Sequence, residues 1–165
     1  SAFHGNCGGY TEDSKSVWNT YLPYLKSSKC GYCSDSVHYK WSCEISAESV
    51  RNALRNNGFS IGKIVYIKTI DLNNSGRIDI LEIGHTDGSI RINGAKFRMA
   101  VGPNIIRSTN FKVSNNGTKF AFSGKGWGHG VGLCQNGCHA YASNGWSSAQ
   151  ILAHYYPGSV LVDGR

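Results

Sequence analysis

Ile64-Val65-Tyr66-Ile67-Lys68-Thr69-Ile70-Asp71-Leu72, then Asn73-Asn74-Ser75-Gly76, then Ile78-Asp79-Ile80, is the stretch whose reading decides the fold. The first run is dense in β-branched and aromatic residues, which fit a pleated surface, and the Asn/Ser/Gly cluster closing it is a turn signal. Ile78, Ile80 and the residues to Ile83 form a second run, and His85-Thr86-Asp87-Gly88 turns again before Ile90 and Ile92. Asn93-Gly94 reads as one more hairpin. Phe97–Val101, Phe111–Val113 and Phe120–Phe122 read as further strands, with Asn115-Asn116-Gly117 turning between the last two. Connections this short join antiparallel neighbours, so the middle of the chain is a hairpin-rich antiparallel sheet or a distorted barrel.

Outward from this centre the periodicity changes. Ser46 can cap the amides that follow it, Glu48 suits the positive end of a helix dipole, Val50, Ala53 and Leu54 share a face, and Gly58 stops the run. The spacing predicts a helix over 47–57. Residues 135–144 suit a second short helix, and Ser147 or Ser148 caps a third through Ile151, Leu152 and Tyr155 until Pro157-Gly158 ends it. About three short helices beside the strands make the fold class α+β. Residues 1–45, rich in Ser, Cys and Tyr, carry little periodicity and read as irregular. With no repeat and no second domain in the pattern, residues 1–165 read as a single domain.

The 165 residues, of which 40% are hydrophobic, can bury a core at this length without a lattice of disulfides. No apolar run approaches the ~18–20 residues of a membrane span. The amino end, Ser1-Ala2-Phe3-His4, has neither the basic start nor the apolar stretch of a signal peptide, so an export signal is expected to have been removed already. A net charge of +7 favours a polyanionic partner, whether nucleic acid, an anionic membrane surface or a cell-wall polymer. The chain has no run of five or six basic residues, which disfavours nucleic acid.

Three groups of residues carry chemistry. Gly124-Lys125-Gly126-Trp127-Gly128-His129-Gly130-Val131-Gly132 lacks the endings of a phosphate or dinucleotide loop, and instead permits close backbone approach to another group. It fits a sugar strand, with Trp127 as stacking face and His129 as hydrogen-bonding or proton-handling group; the alternative is a tight structural crossing with a core Trp. The six cysteines, Cys7, Cys30, Cys33, Cys43, Cys134 and Cys138, are even in number and read first as disulfides. Cys134 and Cys138, four apart on a predicted helix, form one candidate pair. The alternatives are free thiols and zinc, the latter because Cys30-x2-Cys33 with His38 nearby has ligand spacing and His4-x2-Cys7 could complete the set; the metal ligands expected on that reading are Cys7, Cys30, Cys33 and His38. Among ten carboxylates, Glu12 has the least evident structural purpose.

Gly126-Trp127-Gly128-His129-Gly130-Val131-Gly132-Leu133-Cys134-Gln135-Asn136-Gly137, followed by Ile151-Leu152-x-His154-Tyr155-Tyr156-Pro157-Gly158, resembles the carboxy-terminal signature of the stage II sporulation protein D (SpoIID/LytB) family. Phe3-His4-Gly5-Asn6-Cys7-Gly8-Gly9-Tyr10-Thr11-Glu12 is similar to that family's His-Ser-Thr-Cys-Gly-Gly block, with Gly5-Asn6 replacing Ser-Thr. The resemblance runs over essentially all of the chain. It implies recognition and cleavage of peptidoglycan glycan strands at the cell envelope or outside the cell, by a lytic transglycosylase or muramidase that needs no cofactor. The accessible backbone and aromatic face of the glycine-rich loop make Trp127 and His129, together with His4 and Gln135, the expected substrate-binding residues. The family's catalytic Glu belongs to a helical segment upstream of the His-x-x-Cys-Gly-Gly block, which this chain is expected to lack, so either that part is missing, removed or supplied by another chain, or the protein uses another acid, with Glu12 the candidate, or none. The alternatives are a non-catalytic wall-binding module that enhances a cell-wall amidase and, from another class, a nucleic-acid-binding protein.

Overall fold

The computed structural model describes residues 1–116 and 118–162, so the turn expected at Asn115-Asn116-Gly117 lies partly outside the described residues. The fold is α+β: eight strands and five helices among the described residues, in small open sheets that do not close into a barrel. By compactness the chain divides into two units, one from Lys40 to Lys125 and one from its two ends, Ser1–Tyr39 with Gly126 onward. None of the described helices is long and apolar enough to cross a membrane.

In the end-built unit, β1 (Phe3–His4) and α1 (Ser14–Trp18) precede the central segment. The central unit holds β2 (Lys40–Ser46), α2 (Ala47–Asn56), β3 (Ile64–Leu72), β4 (Ile78–His85), β5 (Gly88–Asn93), α3 (Gly94–Val101), β6 (Phe111–Asn115) and β7 (Lys119–Lys125). Its two antiparallel sheets have the orders β2-β7-β6 and β3-β4-β5. The turn chemistry after Leu72 acts as expected, with Asn73 Oδ1 accepting from the Arg77 amide at 2.9 Å. The predicted helix forms as α2, where Ser46 Oγ accepts from the Ser49 amide at 3.0 Å. Val50 and Leu54, four apart on its inner face, are fully buried with Leu81, Ile83, Phe97, Ile106, Phe120 and Phe122.

Phe97–Val101 is a correction. The Asn93-Gly94 pair does not turn a hairpin; the Asn93 side chain accepts from the Ala95 amide at 2.9 Å and caps α3. Phe97 and Val101, four apart, then share the buried face while Met99 points to solvent. Alternation and helical spacing differ by a single position here, and the cap decides between them.

After β7 the chain returns through β8 (Leu133–Cys134), α4 (Gln135–Ser143) and α5 (Ser148–Tyr155), the last begun by a capping box of Ser147 and Gln150. In this unit β8 pairs in parallel with β1, Phe3 beside Leu133 and His4 beside Cys134. Its core is Cys7, Leu25, Cys30, Cys33, Val131, Cys134, Tyr141, Ile151, Tyr155 and Tyr156. The helices beyond the expected three are α1 and α3. Phe97→Ala should cost about 3–5 kcal/mol in urea unfolding, whereas Met99→Ala should stay within about 0.5 kcal/mol; equal losses would restore the strand reading.

Candidate functional site

The amino-terminal block and the glycine-rich loop lie against each other in the end-built unit. Asn6 and Trp127 exchange both backbone hydrogen bonds, at 3.0 and 2.7 Å, the Glu12 amide donates to the Gly130 carbonyl at 2.8 Å, and the Leu133 amide donates to the Ala2 carbonyl at 3.1 Å. This contact requires glycine. Gly126 has φ +83°, and a Cβ there would stand 2.6 Å from the Asn6 carbonyl oxygen; Gly132, at φ +73°, would strike the Ala2 carbonyl. The fully buried Asn6 side chain donates to the Cys33 carbonyl and to Asn136 Oδ1, and accepts from the Gly8 amide.

The pairing orients two imidazoles. His4 Nδ1 donates to the Val131 carbonyl at 3.1 Å, while His129 Nδ1 accepts from the Val131 amide at 3.0 Å. A carbonyl only accepts and an amide only donates, so the neutral rings carry their protons on opposite atoms, Nδ1 in His4 and Nε2 in His129. The ring centroids are 5.7 Å apart, and that of Trp18 is 5.2 Å from His129. Trp18 ends α1, which Asn19 closes in the left-handed region (φ 55°); Ser14 ties the return by accepting from the Leu22 amide at 2.9 Å and donating its own amide to the Leu25 carbonyl at 3.0 Å. The result is a cleft of about 450 Å³ lined by Phe3, Trp18, Leu22, Tyr24 and His129 among others. Phe3, Trp18 and Tyr24 remain 57%, 43% and 41% exposed, which leaves aromatic faces open to a ligand.

The other expected substrate residues are placed differently. His4 is buried behind His129. Trp127 is half-buried against the His38 ring, centroids 4.7 Å apart, and is not among the cleft-lining residues. Gln135 is exposed at the start of α4. Glu12 has no exposed surface, and its Oε1 accepts from the Asp13 amide at 2.8 Å.

The cysteines correct the expected disulfides: among the described residues no two are joined. Instead, Cys7, Cys30, Cys33 and Cys134 bring their Sγ atoms within 4.8 Å of one another, all buried. Cys134 stands where His38 was expected. Cys134 is the N-cap of α4, its sulfur accepting from the Gly137 and Cys7 amides at 3.3 Å each, and the Tyr155 hydroxyl lies 3.1 Å from Cys30 Sγ. Hydrogen bonding with Cys134 holds the Cys30 and Cys33 thiols below their usual range, whereas Cys134 pushes Cys7 up and Cys30 pushes Cys134 up. Cys43 and Cys138 are half-buried and outside this group. Trp18, Phe3, Tyr24 and, for the sulfur group, Cys134 are the residues a spacing argument misses.

A family model described as Domain of unknown function (DUF8618) matches residues 14–132. The chain belongs to that family. DUF8618 takes in the whole central unit, the cleft's Trp18 and Tyr24, and the loop through Gly132. The chain is 30% identical to an uncharacterized protein of Brachyspira hyodysenteriae over 98% of its own length and 42% of the relative's. It is 29% identical to Stage II sporulation protein D of Bacillus amyloliquefaciens, over 96% and 43%, and 27% identical to the Amidase enhancer of Bacillus subtilis, over 98% and 29%. These names bear out the resemblance read from the motifs. The chain spans less than half the length of each of these relatives.

Gly137 tests the packing of this DUF8618 site. Ala normally stabilises a helix interior by about 1 kcal/mol relative to Gly, but a Cβ at Gly137 would strike Cys30 Sγ and the Tyr155 hydroxyl. Gly137→Ala should therefore lower stability by about 1–3 kcal/mol in denaturant unfolding; a gain would show that the sulfur group is not packed on this turn.

Proposed function

We propose that this chain binds a bacterial peptidoglycan glycan strand in the Phe3, Trp18, Tyr24 and His129 cleft and contributes to cleavage of the strand at the cell envelope. The carrying observation is that three open aromatic faces stand around an oriented imidazole, beside a backbone loop held in place by glycines. Sugar rings present apolar faces to aromatics and hydroxyls to imidazole nitrogen, so such a cleft holds them by both surfaces. A net charge of +7 supports association with an anionic wall. The names of the Bacillus relatives support a cell-wall role, and an amidase is the partner we propose on the strength of the Bacillus subtilis relative.

What this chain contributes is grip. Glycosidic cleavage needs an acid against the leaving oxygen, and Glu12, with no exposed surface, is not among the cleft-lining residues. Its amide instead fixes the Gly130 segment. We propose that the acid comes from elsewhere in the assembled enzyme.

In sedimentation with purified peptidoglycan, Trp18→Ala should weaken binding about tenfold, equivalent to about 1.4 kcal/mol. Trp127→Ala and Glu12→Gln, if folded, should change it less than about twofold. Unchanged binding by Trp18→Ala would remove the cleft from the reading. Mass spectrometry of the soluble products completes the test: anhydro-muramyl or reducing ends released by the chain alone, and lost in Glu12→Gln, would return the acid to Glu12.

A further inference from the structure

We propose that Cys7, Cys30, Cys33 and Cys134 bind one zinc ion in a closed four-thiolate site. A zinc–sulfur bond of about 2.3 Å in a tetrahedron places its sulfurs about 3.8 Å apart. The four Sγ atoms lie within 4.8 Å of one another, and Cys7 and Cys33 are 3.4 Å apart. A disulfide would draw two sulfurs to about 2.05 Å and leave the other pair to itself; four mutually close thiols share one centre. Cys30-x2-Cys33 has the spacing of a zinc-binding turn, and the four ligands are 0–5% exposed, which closes the site to water and marks it as structural.

The surroundings suit thiolates. On binding, each thiol releases its proton to solvent and its sulfur donates an electron pair to the metal, so the complex carries two negative charges. Two backbone amides point at Cys134 Sγ, one of them at the start of α4 where the helix dipole favours negative charge, and the Tyr155 hydroxyl meets Cys30. Gly137 lets the helix backbone approach without touching the sulfurs. The ligands come from the amino-terminal block, the Cys30–Cys33 turn and the end of the glycine-rich loop. His4 pairs with Cys134 in the β1–β8 ladder, so the ion would hold the wall that carries His129.

The test is the metal content of the purified chain, followed by replacement of the bound metal with Co²⁺. One equivalent of zinc, and a cobalt derivative with the strong sulfur-to-metal charge-transfer and tetrahedral d–d bands of four thiolates, are expected. Cys134→Ser should lose about a quarter of the charge-transfer intensity, in proportion to ligands of the four-sulfur set, while Cys43→Ser and Cys138→Ser should keep both the zinc and the spectrum. Metal-free protein with paired disulfides in non-reducing mass spectrometry, six titratable thiols without metal, bound iron in place of zinc, or an unchanged cobalt spectrum in Cys134→Ser would each overturn the assignment. Should Cys134→Ser fail to fold, the wild-type metal content and cobalt spectrum decide alone.

Discussion

The contact between residues 2–12 and residues 127–136 is the constraint on which the end-built unit depends. Its partners are more than a hundred residues apart in sequence, so forming it costs a large loop-closure entropy that only a dense set of bonds offsets. The set is dense: paired backbone bonds between Asn6 and Trp127, further amide bonds at Glu12, Leu133 and Asn136, and a buried Asn6 side chain that satisfies three more groups. Glycine at 126 and 132 lets the two backbones come this close, and everything chemical in the unit hangs from it. The tautomers of His4 and His129 are set by one residue of that contact, Val131, through its carbonyl and its amide.

Much of the fold is legible from sequence because its signals are local. The β3–β4 turn, α2 with its Ser46 cap and α5 with its Ser147 cap each rest on side chains a few residues from the atoms they satisfy. Asn93-Gly94 misleads because the same pair suits a hairpin and a helix start; here the Asn93 side chain caps α3, and Phe97 and Val101, four apart, are buried together on one face. The five-residue α1 has too few positions for a period to show, and a return to Leu22 and Leu25 holds it in place.

The site is legible in composition and less so in arrangement. His129 lines the cleft, but the aromatic face beside it belongs to Trp18, over a hundred residues away, and not to its sequence neighbour Trp127. Alternating glycines reverse the chain so sharply that adjacent side chains face different surroundings. The cysteines show the same limit. Spacing finds Cys30 and Cys33, and nearness in sequence nominates His38, yet the fourth thiol arrives from Cys134 through the parallel β1–β8 pairing, which no local pattern announces.

The central unit leaves and re-enters its host at neighbouring points, for the Gly126 amide donates to the Tyr39 carbonyl at 2.8 Å. The chain is therefore organised as an insertion, in which one contiguous body interrupts a second body made of two pieces. On the ribosome the interrupted body waits. Residues 1–39 bond among themselves, but they emerge without α4 and α5, and the fourth thiol, Cys134, follows only after the inserted body. The inserted body can complete itself first and, in doing so, bring Tyr39 and Gly126 together, shortening the effective loop that the late-closing half must span.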